Sequence, residues 1–153
     1  DAAYTDAQGR ALPVDCDLDG WETVDVPSCW NLQKEKYYYF EGSGVYTRTF
    51  HYTPRQEGER VYLYIGAANY ECRVFLNGKL VGRHIGGFTP FNIELTGHLR
   101  AENRICLRGH PLAQFRLVQL RWYYPGHSAA ARASGVCAGI FRGAGARWHL
   151  QHY

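Results

Sequence analysis

Between Trp21 and Leu107 the sequence is a succession of short segments of alternating or clustered apolar, β-branched and aromatic residues, each closed by a turn signal. No segment there shows the 3.6-residue apolar period of an amphipathic helix. Glu22 to Val26 alternates and is stopped by Pro27, which cannot donate to a strand ladder. Val45 to Tyr52 is rich in residues that suit a pleated sheet, and Arg60 to Ile65 places Val61, Leu63 and Ile65 on one face. Tyr70 to Leu76 ends at Asn77-Gly78, a pair that favours a type I′ turn because both positions take positive φ. Lys79 to His84 therefore returns as a hairpin, and Phe91 to Leu95 and Asn103 to Leu107 follow. About seven strands without crossover helices exclude a βαβ fold and predict an all-β, antiparallel jelly-roll or galactose-binding-like β-sandwich, incomplete at both ends.

Composition narrows the function classes. With 153 residues, 46% hydrophobic and 15% aromatic, the chain holds enough apolar material for one core and is not a disordered tail. No run reaches the roughly 20 apolar residues of a membrane-crossing helix, so no membrane partner is expected. The first residue is Asp1, not Met, which reads as a cut, so the true start is expected to lie upstream.

The net charge of +3 conceals a split. Residues 1–107 carry 11 Lys and Arg against all 14 Asp and Glu, whereas 108–153 carry six Arg, no Lys and no acidic residue. Three regions follow: an irregular lead-in over 1–20, a β-sandwich over 21–107 and a basic, acid-free tail over 108–153.

Cys16, Cys29, Cys72, Cys106 and Cys137 form no Cys-x-x-Cys pair. Free buried thiols in a reducing, cytoplasmic compartment are expected rather than a zinc or redox site. The seven histidines are scattered without ligand spacing. No metal and no cofactor is expected.

Jelly rolls often carry sugar-binding surfaces, where aromatic faces are flanked by polar groups. Trp30, Asn31, Tyr38, Tyr39 and Glu41 lie in a segment too irregular for a central strand. They are candidates for contacts to a sugar or to a neighbouring domain; the competing expectation is that the aromatics fold back over the end of the sandwich. Glu35 with Glu41, or Glu71 with Glu94, would need side chains about 5 Å apart to act as a retaining glycosidase pair. Nothing in their spacing forces this, and solvated carboxylates are expected. Gly86-Gly87-Phe88-Thr89-Pro90-Phe91 lacks the lysine and following helix of a phosphate loop and reads as a tight crossing into the next strand.

Taken together, several ordered motifs resemble the N-terminal domain of family 2 glycoside hydrolases, the group of β-galactosidases, β-glucuronidases and β-mannosidases. They are Val26-Pro27-Ser28-Cys29-Trp30-Asn31; Gly42 to Phe50 with Tyr46, Arg48 and Phe50; Val74-Phe75-Leu76-Asn77-Gly78; Gly86 to Phe91 with Gly87, Pro90 and Phe91; and Glu102-Asn103-Arg104-Ile105. The Gly-Gly-Phe-Thr-Pro-Phe wording leans toward the β-glucuronidase and bacterial β-galactosidase branches. The resemblance implies a sugar-binding jelly roll followed by an immunoglobulin-like domain and a catalytic (β/α)₈ barrel, both absent from this chain. It also implies a retaining exo-β-glycosidase as parent, with a β-galactoside or β-glucuronide as carbohydrate partner. Both catalytic glutamates would lie in the barrel, so no catalytic residue is expected here.

Family members follow the strand at Asn103 to Leu107 with Asp-Trp-(Trp/Phe)-Asn-Tyr-Gly-Gly-Ile-x-Arg, which this chain lacks. One base out of register, the tail permits it. Trp122 has a single codon, whose last two bases with the first of Tyr123 necessarily encode Gly. Arg116, Leu117, Val118, Gln119, Leu120 and Arg121 permit Asp, Trp, Phe, Asn, Tyr and Gly, and Tyr123 to Gly126 permit Ile-Thr-Arg-Asp. Each shifted codon allows only a handful of residues, so a full match at this place points to a frame change near Arg108. Arg116 then stands where the family has an Asp near the sugar, and the tail is expected to lack a native-like fold, leaving open edges and poor solubility. The alternative, a basic tail for nucleic acid, has no Lys and no recognisable module, and no nucleic-acid partner is expected.

Overall fold

The computed structural model describes residues 17–26, 32–39, 44–55, 57–110, 118–123 and 146–152. Nine strands run β1 (Glu22–Val26), β2 (Gly44–His51), β3 (Arg60–Ile65), β4 (Glu71–Leu76), β5 (Lys79–Ile85), β6 (Phe91–Glu94), β7 (Glu102–His110), β8 (Val118–Tyr123) and β9 (Ala146–His152). A six-stranded sheet has the order β1-β9-β2-β7-β4-β5, and a three-stranded sheet has the order β6-β3-β8. Every described pairing is antiparallel. The architecture is an all-β sandwich whose sheets are not closed. β1 to β7 fall on the segments read from the sequence, each within three residues at its ends.

The period-2 pattern decides which residues fill the space between the sheets. From the large sheet come Tyr46 and Phe50 of β2, Cys72, Val74 and Leu76 of β4, and Ile105 and Leu107 of β7; from the small sheet come Val61, Leu63, Ile65 and Ile93. Val61, Leu63 and Ile65 are fully buried, and each stabilises the fold by about 1.5–3 kcal/mol. Arg48 shares the inner face of β2 with Tyr46 and Phe50, where burial pulls its pKa below the usual guanidinium value.

The outer face of the large sheet carries a second, smaller apolar cluster of Val45, Phe75 and Cys106, with Trp21 packed against it. Thr47 lies on this face, its Oγ1 3.2 Å from the Ile105 carbonyl oxygen and 3.1 Å from Cys106 Sγ. The first half of β2 is therefore buried on both faces.

Two turns fix the registers. Asn77 and Gly78 have φ of 52° and 81°, as a type I′ hairpin requires, and join Leu76 to its partner Lys79. Asn103 then ties this turn to the next: its Oδ1 accepts from Arg100 N at 2.8 Å and Asn77 Nδ2 at 3.0 Å, and its Nδ2 donates to the Arg100 carbonyl. Asn77 Oδ1 in turn accepts from Arg104 N at 2.9 Å.

β7 continues to His110, past the boundary drawn at 107, and β8 and β9 lie within the stretch 108–153 that charge sets apart. β8 pairs with β3 over Arg60–Tyr123 to Ile65–Val118, and β9 is inserted between β1 and β2.

Candidate functional site: an aromatic ledge beside the first strand

The segment after β1 is built from a side-chain clasp. Asp25 N donates to Gln33 Oε1 at 2.8 Å, and Gln33 Nε2 donates to the Asp25 carbonyl at 2.9 Å. The carboxamide thus does at the open edge of β1 what a neighbouring strand would do. Lys34 and Lys36 both pair with Glu22 at the start of the same strand. A single turn of 3₁₀ helix follows at Glu35–Tyr37, and the Tyr37 ring is buried in the main core.

With Tyr37 as anchor, the next two rings turn outward: Tyr38 is 53% and Tyr39 95% exposed. Leu32 is also exposed. The two expectations for these aromatics are therefore divided between residues, with Tyr37 covering the core and Tyr38 and Tyr39 offered to solvent. Adjacent phenols combine an apolar face with a hydroxyl, which suits the mixed surface of a sugar or of a partner domain. Trp30, Asn31, Glu41 and Pro27 lie outside the described residues. The sequence reading did not single out Gln33; no pattern marks a glutamine that closes a strand edge.

The other motif residues are framework. Tyr46 and Phe50 are in the core, Asn103 is fully buried, and Asn77 and Gly78 form the hairpin turn. Gly87 lies so near Asn69 that a Cβ would come within 2.5 Å of its Oδ1. Before Pro90, Thr89 Oγ1 is 2.9 Å from His84 Nε2, and the His84 ring stacks on Phe91 at 4.0 Å.

Of the two acidic pairs raised by the sequence, Glu71 and Glu94 are engaged by arginines. Glu71 pairs with Arg73 and Arg83 on the large sheet, and Glu94 pairs with Arg60 on the small one. Hydrogen bonds from Arg73 and Arg60 respectively hold both carboxyls below the usual carboxylate range. A general acid needs the opposite shift. Burial pushes the Cys72 thiol up, away from nucleophilic use, and Cys72 and Cys106 are both buried thiols outside any disulfide. Among the described residues no group of three or more His, Cys, Asp or Glu could hold a metal ion. No helix there is long and apolar enough to cross a membrane.

No family model matches the chain. It is 30% identical over 102 residues to a β-glucuronidase of Bacteroides fragilis, covering 63% of this chain and 15% of that protein. Against a β-galactosidase of Thermoanaerobacter pseudethanolicus it is 30% identical over 96 residues, covering 61% and 13%. The β-glucuronidase structure from Faecalibacterium prausnitzii superposes with a TM-score of 0.58 at 26% identity, over 71% of this chain and 19% of that one. The chain is similar to one part of each of these glycosidases. A second structure, the Bifidobacterium dentium β-glucuronidase, is 36% identical with a TM-score of 0.52, over 55% of this chain and 14% of its own. The chain thus spans less than a fifth of the length of each of these relatives.

Proposed function

We propose that the chain supplies the N-terminal, sugar-side β-sandwich of a retaining exo-β-glycosidase of the β-glucuronidase or β-galactosidase type. In that reading two carboxylates outside this chain perform hydrolysis, one as acid/base and one as nucleophile through a covalent glycosyl-enzyme. The observation that carries it is that the relatives are all named β-glucuronidase or β-galactosidase and align with more than half of this chain but with under a fifth of their own length. The Arg-paired states of Glu71 and Glu94 support the same division of labour, since neither is available to donate a proton. Tyr38 and Tyr39, with Trp30, Asn31 and Glu41, would contribute contacts to sugar or to the immunoglobulin-like and barrel domains.

Residues 108–153 are read here as out of frame. β8 falls on the stretch whose shifted frame permits the family signature. Two measurements test the proposal. The purified chain should not hydrolyse chromogenic β-glucuronides or β-galactosides, and turnover by the chain alone would overturn the assignment of catalysis elsewhere. Sequencing the coding DNA from Glu102 past Tyr153 should show the next frame open and leading into a barrel; stop codons closing that frame would refute the frame change.

A second reading, a self-sufficient carbohydrate-binding module, is favoured by the exposure of Tyr38 and Tyr39. It requires the isolated chain to bind a neutral β-galactoside, with the affinity lost in Tyr39→Ala.

A further inference from the structure

Three arginines lie in register across three neighbouring strands on the outer face of the large sheet. Arg108 of β7 is the partner of Arg73 of β4, and Arg73 is the partner of Arg83 of β5. At the usual strand spacing this row extends about 10 Å. Like charges placed directly opposite one another destabilise a sheet. Glu71, one position along the same face, offsets part of this: its Oε1 accepts from Arg73 Nε at 2.7 Å and lies 3.0 Å from Arg83 Nε.

One carboxylate oxygen thus orients two guanidinium groups by their Nε atoms, and the terminal Nη donors of both are left for another ligand. Three positive charges against one negative leave an excess of two. The Arg73 and Arg83 side chains are 38% and 51% exposed. Ile85, the strand partner of Glu71, is exposed on the same face and adds an apolar contact beside the row.

We propose that this row binds a polyanionic saccharide, with its carboxylates held by the Nη forks of Arg73 and Arg83, the two members of the row that lie ahead of the frame change. A planar guanidinium presents paired donors at the spacing of carboxylate oxygens, which a lysine does not. The anion follows from the row itself; its saccharide nature rests on the glycosidase reading above. The row stands apart from the Tyr38–Tyr39 ledge, which is clasped to β1 at the opposite margin of the sheet.

The test is a titration of the full chain, at low salt, with an end-labelled polygalacturonate oligomer and with the methyl ester of the same oligomer. The acid form should bind, and the ester should bind about tenfold more weakly or worse, the equivalent of one lost charge-assisted hydrogen bond. Arg83→Gln on the edge strand, and Arg73→Gln/Arg83→Gln together, should each weaken the acid form by at least about the same factor. Arg60→Gln, which removes an equal charge from the other sheet, should leave binding unchanged. Failure of the wild-type chain to bind the acid form, or binding unaffected by Arg83→Gln, would overturn the site. Equal binding of polyglutamate or single-stranded DNA would overturn the saccharide assignment. A failure of the glycosidase reading would appear instead in the hydrolysis and sequencing results and would leave the Arg83→Gln effect in place.

Discussion

Gly82 on β5 is where the packing of the two sheets against each other is most directly testable. A Cβ built there would lie 2.6, 2.8 and 2.9 Å from Cδ1, Cγ1 and Cγ2 of Ile93 on β6. Two effects oppose each other in Gly82→Ala. Restricting the unfolded chain stabilises by about 0.4–1 kcal/mol, whereas inserting a methyl into a filled core costs about 1–3 kcal/mol. Two of the three close atoms are bonded directly to the Ile93 Cβ, so any rotation about χ1 still leaves one of them facing the added methyl. The steric cost therefore wins, by roughly 1–2 kcal/mol, which lowers Tm by about 2–8 °C. Urea unfolding should show a lower midpoint at unchanged m. Ile93→Ala removes all three atoms and by itself costs about 2–5 kcal/mol. In the double variant the clash is gone, so the combined loss should fall short of the sum by about 1 kcal/mol. A stabilised Gly82→Ala, or strict additivity with Ile93→Ala, would refute the facing of β5 and β6.

Asn103→Ala should cost about 1–3 kcal/mol in denaturant unfolding, because it removes the acceptor of the Arg100 N–H and one of the two acceptors of the Asn77 amide in a partly buried turn; a neutral result would mean that the turn network carries no stability. Cys72 should resist alkylation in native buffer and react fully in denaturant, as peptide mass mapping would show. Its folded pKa lies above the unfolded value, so its contribution to stability is complete below about pH 8.5 and declines as pH rises; Cys72→Ala should flatten the alkaline loss. Backbone amides of β8 and β9 are expected to exchange faster than those of β7, and protection throughout 108–153 equal to that of Glu102–His110 would refute an out-of-frame tail.

The strands were legible because their signals are local. Alternation in Arg60–Ile65 and the Asn77-Gly78 pair depend on nothing distant, and both match the structure. The basic row was not legible, for a specific reason. Counting back from a two-residue turn puts Arg73 opposite Gly82, whereas an irregularity between Val74 and Phe75 shifts the register by one and brings Arg83 into place. The candidate ledge was read in part: the aromatic cluster is plain in the sequence, but which ring turns inward depends on the Gln33 clasp, a tertiary contact between a carboxamide and a strand edge. The engagement of Glu71 and Glu94 by arginines likewise depends on strand partners that spacing alone does not supply.

The insertion of β9 between β1 and β2 has a consequence for the order in which the protein can assemble. Among the described residues β1 has β9 as its one strand partner, with Glu22 opposite Leu150, so β1 waits for a strand made long after it. Contacts this distant in sequence are slow to form because loop closure must precede any gain from them. During synthesis β2, β4, β5 and β7 can already be paired while the Gly44–Thr47 edge of β2 still has nothing beside it. That edge is an adhesive surface for any second nascent chain until residues 149–152 arrive. A ribosome that stalls before that point would therefore release a half-built sheet whose vacant edge invites intermolecular pairing.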